Sequence, residues 1–597
     1  MADEQTSVAR RIVDHLVDRG CRYIFVGPAT NHQFAFINAL YERRHELQPI
    51  LVRHEAMAPL MAEGWYRVTH RPGIFHVGAG PALANSVLGV MSAYTCGSAV
   101  IGISGQVNTR FWGRNGMQEV QGQTYAEGHR ILEPVLKRYW QVSHPYKVGE
   151  VLNQAFSTAQ SGRPGPVLID IPMDVFEMNC DKDEFTPPPQ DTVGRPAGDP
   201  KHVGRAVELL KAAKRPVLLC GGGVILSEAT EEVLRLAEVL RLPVVTSLTG
   251  KGAIPDDHPL AAGPIGAMGV EPAMRLVREA DVLLSLGFRF GEHSTSGWTR
   301  ALPFAIPPTK LIQVDIEPVE IGRYFPVEVG IQGDIKNVLA QMLDAAHMES
   351  EANASERPSI AQLATDREVH RAARRERAAA DTGLVNPHRL VAELRAQLSR
   401  DSILLPDAGN NGNFFNSDWD VFEPQTYIVD RGSAAMGYAP AAALGVQLAA
   451  PTKQVVVVTG DGCMTQVNWV LGTAREYGIP VKFIVLNDGA LGGCVSVQES
   501  VFGGRMLCTT FQDHNTGEPL LQDFAKLAES YGVAGSMVSS NSELSDAISQ
   551  LLAHEGPCLL DTRIDPHARP RGAGRMTVST TGSLVQSTPV RDTSGKS

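Results

Sequence analysis

VVVVTGDGCMTQVNWVLGTAREYGIPVKFIVLNDGALGG, residues 455–493, decides the fold. An apolar β-branched run, Val455–Val458, breaks at Gly460-Asp461-Gly462. A helical spacing follows, with Val467, Val470, Leu471 and Ala474 on one face and an end at Gly478. A second apolar run, Val481–Leu486, stops at Asn487-Asp488-Gly489. Strand, turn, helix, strand, turn predicts a βαβ unit. Neighbouring parallel strands bring their carboxyl ends to one edge of a sheet, so Asp461 and Asp488 converge across the 26 residues between them. Two hard oxygen ligands at one edge suit Mg²⁺, which also takes water and phosphate oxygens. Gly460 and Gly462 let backbone N–H groups and a helix N-terminus approach an anion. Together the two turns call for a metal-bound phosphate or diphosphate; taken singly, each is equally an ordinary strand-end turn.

Outward from this unit, 597 residues are too many for one core and predict three or four domains. Apolar residues are 43% and charged residues 20%, so each domain can bury a core. A net charge of −11 argues against nucleic-acid and anionic-membrane partners. The N-terminus, MADEQTSVARRIVDHLVDRG, reads as an amphipathic helix without the apolar run of a signal peptide. No stretch reaches the roughly 18 apolar residues of a membrane span. The eight cysteines lack CxxC or metal-ligand spacing, so free thiols in a reducing cytoplasm are expected.

Helices and short apolar strands alternate through residues 1–185, 198–348 and 385–566, which predicts three doubly wound parallel sheets, an α/β fold. The first part has strands at Tyr23–Val26, Pro49–Val52, Gly73–Val77, Ala99–Ile103 and Val167–Ile171. Residues 186–197 are a Pro-rich linker, 349–384 a charged, Ala-rich one, and 567–597 an Arg- and Ser-rich tail or lid. Glu55 ends the second strand of the first part, where a carboxylate is either a helix cap or a functional group.

Several motifs resemble one family. GDG followed by NDG resembles the thiamin diphosphate signature of the acetolactate synthase and 2-oxoacid decarboxylase superfamily, with Asp488 in place of its second Asn. VRHEAMAPLMAEGWYRVTHRPGIFHVGAGPALANSVLGVMSAY looks like the segment that carries the family's catalytic glutamate. GSAAMGYAPAAALG, residues 432–445, is similar to GTMGFGLPAAIG, and PDAGNN to the family's turn at the diphosphate.

The resemblance implies a Pyr–middle–PP arrangement: a pyrimidine-binding domain at 1–185, a nucleotide-binding-like domain at 198–348 and a diphosphate-binding domain at 385–566. Asp461, Asp488 and the Ala490 carbonyl would hold Mg²⁺, and Gly460, Gly462, Asn410 and Asn411 would face the diphosphate. Glu55 would meet the aminopyrimidine ring and promote loss of the C2 proton. Gly80 and Asn85 match the turn beside it, Met436 the bulky residue under the bent cofactor, and the Ala434 carbonyl the acceptor for N4′. Gln106 and Gln118 match pocket residues, Lys137 a lysine at the substrate entrance, and His32 an acid/base histidine; loop packing is the competing reading for each. Arg289 and Asp315 match nucleotide contacts, which implies FAD or ADP in the central domain.

The implied activity is an acetolactate-synthase-like lyase or carboligase, acting on a 2-oxoacid or 2-hydroxyketone through a ylid and a carbanion/enamine. A 2-hydroxyacyl-CoA lyase or oxalyl-CoA-decarboxylase-like enzyme, taking an acyl-CoA, and a non-catalytic binding subunit are the alternatives. Val497 in place of a channel Trp predicts an altered acceptor pocket, and together with Met117 in place of a Phe and Glu292-His293 in the central domain it argues against an ordinary biosynthetic acetolactate synthase. Active sites shared between subunits would make the protein a homodimer or homotetramer.

Overall fold

The computed structural model of the chain describes residues 5–122, 124–181, 194–348, 357–381, 383–577 and 584–586. Most of the Pro-rich linker lies outside these residues. Three parallel sheets carry the molecule. The first contains β1 (Tyr23–Val26), β2 (Gln48–Leu51), β3 (Gly73–Val77), β4 (Val100–Gln106), β5 (Arg138–Gln141) and β6 (Val167–Pro172), in the order β2-β1-β3-β4-β6-β5. The second contains β7 (Pro216–Cys220), β8 (Val244–Thr246), β9 (Ala261–Pro264), β10 (Val282–Leu286), β11 (Lys310–Asp315) and β12 (Val329–Gln332), ordered β9-β8-β7-β10-β11-β12. The third contains β13 (Ile403–Pro406), β14 (Val455–Gly460), β15 (Lys482–Asn487), β16 (Ala534–Val538) and β17 (Cys558–Arg563), ordered β13-β14-β15-β17-β16.

β14 pairs in parallel with both β13 and β15, and Val455–Val458 are completely buried. Burial on both faces is why this strand is a continuous apolar run instead of an alternating one. β5 was not legible in the sequence: its residues, RYWQ, are exposed or half-buried at the sheet edge and form no apolar run. The single helix expected after GDG is two, Asp461–Val467 and Val470–Glu476. The break falls where Asn468 accepts from Tyr531 Oη at 3.0 Å and Trp469 stacks on His54 of the first domain, ring centroids 5.2 Å apart.

The first and third sheets share a core, with Phe25, Ile50, Phe75 and Leu60 packed in one cluster with Leu405, Val457, Phe483 and Leu444. Its centre is the crossing of α1 (Met57–Thr69) and α2 (Tyr438–Ala449). The two backbones touch. A Cβ on Gly64 would lie 2.2 Å from the Ala442 carbonyl oxygen, and one on Gly445 1.9 Å from that of Met61. Beside the crossing, fully buried Glu63 accepts from Ser98 Oγ at 2.9 Å, Arg67 Nη1 at 3.2 Å and the Tyr438 hydroxyl. Breaking a buried, paired charge of this kind costs about 3–5 kcal/mol, so the network holds the two domains in one relation.

Within the charged segment 349–384, Pro358–Ala379 form a 22-residue helix. It buries Leu363 in the central-domain core, pairs Arg275 with Asp366, and reaches the third domain through Arg374 and Asp420.

Candidate active site

At the carboxyl edge of the third sheet, three helix N-termini meet: Asn410–Asp418 after β13, Asp461–Val467 after β14, and Gly492–Val501 after β15. Asn410 Nδ2 donates to the Gly492 carbonyl and to Ser496 Oγ, each at 2.9 Å, which ties the first of these to the third. A Cβ on Gly460 would sit 2.7 Å from Asn411 Nδ2, and one on Gly462 2.6 Å from Leu491 Cδ2. Larger residues would fill the cradle. Three helix dipoles converge here, a setting that binds anions.

Asp461 and Asp488 stand together at this edge. Asp461 Oδ1 accepts from Gly462 N–H at 2.7 Å, and Oδ2 from Gly489 and Ala490 N–H at 2.8 and 3.2 Å. Burial and then the Asp488 charge push the Asp461 pKa up to about 7, and burial pushes Asp488 up to about 6. Two carboxylates crowded at so dry a point disfavour each other's charge, a setting that a cation between them would relieve.

Met436 faces this cradle, its Cε 3.6 Å from where a Gly462 Cβ would be. Ala434 has φ +51°, a left-handed conformation that non-glycine residues rarely adopt. Asp430 holds the loop in that shape by accepting from the N–H groups of Gly432, Ser433 and Ala435 at 3.1–3.2 Å. Its carboxylate also takes the Ser92 hydroxyl at 3.1 Å, from the helix Pro81–Cys96 of the first domain. Asp407, in PDAGNN, accepts from Thr459 Oγ1 at 2.8 Å and Gly437 N–H at 3.1 Å, joining three loops of the site. Sequence reading missed both aspartates, although Asp407 sits in a motif it had singled out. Val470 is completely buried in the core.

The carboxyl edge of the first sheet assembles a second group. Glu55 follows β2, His32 follows β1, Gly80 and Asn85 follow β3, and Gln118 lies in the loop after β4. Glu55 is half-buried, and its Oε2 accepts from Asn85 Nδ2 at 2.9 Å. Buried His32 is held below the usual histidine pKa by desolvation, partly offset by a hydrogen bond with Gln118. Gln118 Oε1 is buried without a partner, and the Gln118 carbonyl lies against Gly80, 2.5 Å from where a Cβ would be.

Two residues read as pocket or entrance groups point elsewhere. Gln106 Nε2 donates to Asp170 at 3.1 Å in the core, and the Lys137 ammonium donates to the carbonyls of Thr158, Ser161 and Arg163 at 2.6–2.9 Å. Lys137 caps the helix Val148–Gln160 and is desolvated there, its pKa brought down to about 8.

In the central domain, Arg289 and Asp315 follow and end adjacent strands β10 and β11. Arg289 Nη2 donates to the Thr95 carbonyl at 2.7 Å. Asp315, pushed up to about 6 by burial, accepts from Glu317 N–H at 3.0 Å. The Gly221–Gly223 run packs on the opposite backbone: a Cβ on Gly221 would lie 2.1 Å from the Gly287 carbonyl oxygen. The tail beyond β17 is packed as far as residue 574. Ala573 N–H donates to the Gly269 carbonyl at 2.8 Å, and Ala573 joins the central-domain core.

Three family profiles match these three units in order. The thiamine pyrophosphate enzyme N-terminal TPP binding domain matches residues 6–125, the central domain 203–342, and the C-terminal TPP binding domain 407–562. The chain is a thiamine pyrophosphate enzyme. Its relatives place this thiamine pyrophosphate enzyme in the acetolactate synthase superfamily. It is 34% identical over 577 residues to a probable acetolactate synthase large subunit of Methanocaldococcus jannaschii, covering 94% of this chain and 92% of the relative. It is 32% identical over 560 residues to the acetolactate synthase large subunit of Haemophilus influenzae, and 31% over 558 residues to that of isozyme 3 of Escherichia coli. Each of these two alignments covers 92% of both chains. This thiamine pyrophosphate enzyme is thus an acetolactate-synthase-like carboligase dependent on thiamin diphosphate. Among its described residues no helix is long and apolar enough to cross a membrane.

Proposed function

We propose that the enzyme condenses or cleaves a 2-oxoacid or 2-hydroxyketone with Mg²⁺-anchored thiamin diphosphate, in a site shared between two copies of the chain. The observation that carries this reading is the convergence of Asp461, Asp488 and three helix N-termini at one sheet edge. The residues present fit the cofactor. Gly460 and Gly462 leave a cradle that a Cβ would fill, and Gln118 Oε1 is buried and unpartnered. Among the described residues no three His, Cys, Asp or Glu side chains cluster as a metal cage. Two carboxylates and the Ala490 carbonyl suit Mg²⁺, which keeps water and phosphate oxygens as further ligands.

When bound, thiamin diphosphate supplies a nucleophilic carbon and an electron sink for C–C bond formation and cleavage. The chain supplies the rest. Glu55 has Oε2 occupied by Asn85, which leaves Oε1 to carry a proton. Asn411 and the N-terminal amides of the three helices bind the diphosphate, and Asn410, whose amide is spent on Gly492 and Ser496, holds two of those helices together. Met436 and the Ala434 carbonyl orient the ring end, and neutral His32, hydrogen-bonded with Gln118, moves a proton at the substrate end. Asp461, Asp488 and the Ala490 carbonyl hold Mg²⁺.

Among the described residues no hydrogen bond, ion pair or ring contact joins Glu55, His32 or Gln118 to Asp461, Asp488 or Met436 of the same chain. Exposed apolar side chains rim both halves: Phe111, Met117 and Tyr125 on the first, Phe511, Leu520 and Leu521 on the second. Covering both rims with a second copy completes two sites, which supports a homodimer or a homotetramer built from dimers. Eight free cysteines fit a reducing compartment, the cytoplasm.

The glycine run is taken up by backbone packing, while exposed Arg289, with one bond to the Thr95 carbonyl, keeps donors for FAD or ADP in the central domain.

The test is product analysis by NMR after mixing metal-free protein with thiamin diphosphate, with and without Mg²⁺, and pyruvate, other 2-oxoacids, hydroxyketones or acyl-CoA esters. Mg²⁺-dependent conversion of pyruvate to acetolactate, reduced at least about a hundredfold by Glu55→Gln, is the expected result. Turnover of another panel member with pyruvate untouched moves the substrate assignment. Turnover unchanged without Mg²⁺ overturns the metal reading.

A further inference from the structure

The linker helix Pro358–Ala379 carries Arg367, His370, Arg371 and Arg374 at the i, i+3, i+4 and i+7 spacing of a single face. That face borders a cleft of about 430 Å³, open to solvent. Its other walls are Lys251, Asp256 and the edge strand β9 of the central domain, and Trp419 and Asp420 of the third. Three parts of the chain meet around one basic hollow. Trp419 follows the helix Asn410–Asp418 at the opposite end from Asn410, so the cleft is separate from the diphosphate cradle.

Two of the basic groups are already engaged. Arg367 donates from Nη1 to the His258 carbonyl at 2.5 Å and from Nη2 to the Asp256 carbonyl at 2.9 Å. Arg374 meets the Asp420 carboxylate at 2.9 and 3.3 Å and the Asp418 carbonyl. Lys251 is not satisfied in this way. Its side chain is 2% exposed, yet its ammonium makes one hydrogen bond, to the Trp419 carbonyl at 2.8 Å. The Asp256 carboxylate stands at 3.6 Å and the centre of the Tyr427 ring at 5.5 Å. Among the described residues, two of its three N–H donors therefore have no acceptor, which is costly for a buried ammonium. Arg371 and His370 line the same cleft and have no hydrogen bond or ion pair among the described residues. Burial and then the Arg374 charge bring the His370 pKa down to about 4, so its neutral ring has one N–H to give.

The charges of the walls do not cancel. Lys251, Arg367, Arg371 and Arg374 bring four positive charges and Asp256 and Asp420 two negative ones, which leaves an excess of two. Burial pushes the Asp256 pKa up, and Asp420 is partly exposed to water, so neither acid offsets a full charge. A phosphate or phosphomonoester carries a charge of about −1.5 to −2 at neutral pH and has three or more acceptor oxygens. That charge and those acceptors match the excess and the unspent donors; a carboxylate would match half the charge.

We propose that this cleft is a binding site for a phosphate dianion, free or at the end of a phosphomonoester, taken by Lys251, His370 and Arg371. The site is independent of the metal and the substrate at the sheet edges. A dianion seated there joins the central domain, the linker helix and the third domain at one point, because its three ligands and the Trp419 carbonyl come from those three parts of the chain.

Isothermal titration of the full-length protein, saturated with thiamin diphosphate and Mg²⁺ so that the cradle is filled, tests it with inorganic phosphate, glycerol 3-phosphate and acetate in chloride buffer. One dianion per chain is expected from at least one of the first two, with acetate at least about tenfold weaker. Phosphate binding alone names the free ion as the source and glycerol 3-phosphate alone names an ester; either supports the site. Arg371→Gln, at an exposed position, is expected to weaken binding about tenfold, and Arg371→Lys to stay within about threefold of the unaltered chain. Lys251→Met, with folding checked by circular dichroism, is expected to cost at least about tenfold. Arg375→Gln removes the same charge outside the cleft, where Arg375 pairs with exposed Glu368, and is expected to cost less than about twofold. Equal losses from Arg371→Gln and Arg375→Gln, unchanged binding in folded Lys251→Met, or acetate bound as tightly as phosphate overturns the proposal. So does the absence of saturable binding up to about 10 mM of either dianion.

Discussion

Asp461 and Asp488 are held where burial opposes their charge, and the chemistry of the site follows from that. Their pKa values, about 7 and about 6, lie above those of carboxylates in an unfolded chain. For groups raised in this way, the stabilising contribution to the metal-free fold is fully present below the unfolded-state pKa and is lost as pH rises through about 6 to 7. Mg²⁺ needs the ionised forms, so its affinity changes in the opposite sense and rises over the same interval. Titration of the protein and thiamin diphosphate with Mg²⁺ is expected to give at least roughly tenfold weaker binding at a pH near 5.5 than near 7.5. A flat profile would mean that these carboxylates do not carry the metal.

At the scale of elements, the crossing of α1 and α2 sets the relation between the first and third sheets. Both helices read Ala-Pro and then, five residues after the proline, Gly: Ala58-Pro59 with Gly64, and Ala439-Pro440 with Gly445. Those glycines are the points of backbone contact. Gly445→Val places methyl groups inside the Met61 carbonyl, and overpacking of this kind costs about 1–3 kcal/mol or more. The expected outcome is a lower urea midpoint with loss of thiamin diphosphate binding, since loops on both helices' domains form the site. Unaltered stability would place the interface elsewhere. The same scale shows why the helix after GDG is split: Trp469 is drawn onto His54, over 400 residues away in sequence.

For the whole molecule the question is where one site begins and ends. Glu55 and Asp461 lie on different sheets, and the exposed apolar rims around each supply the surface a second copy would cover. Glu55→Gln and Asp461→Asn chains, each inactive alone, are expected to recover activity when coexpressed, because a mixed dimer contains one intact site. Random pairing sets the recovery at roughly a quarter of wild type. Sites contained within single chains would give no recovery.

The local pattern of the sequence determined the βαβ unit around GDG and NDG, the alternation that builds three parallel sheets, and the carboxyl-edge positions of Glu55, Asp461 and Asp488. Strand periodicity, turn chemistry and helix caps are short-range properties, and parallel pairing then fixes which ends of strands share an edge. The tertiary structure alone decided the rest. Glu63 meets Tyr438 across 375 residues, Asp430 meets Ser92 across 338, and Arg569 meets Glu499 across 70. Spacing carries no information about such partners. Gln106 and Lys137 look from their motifs as if they face the pocket, yet the nearest unpaired acceptors claim them, Asp170 in the core and three carbonyls at a helix end. A buried polar group is positioned by whatever satisfies it, and only the folded chain shows what that is.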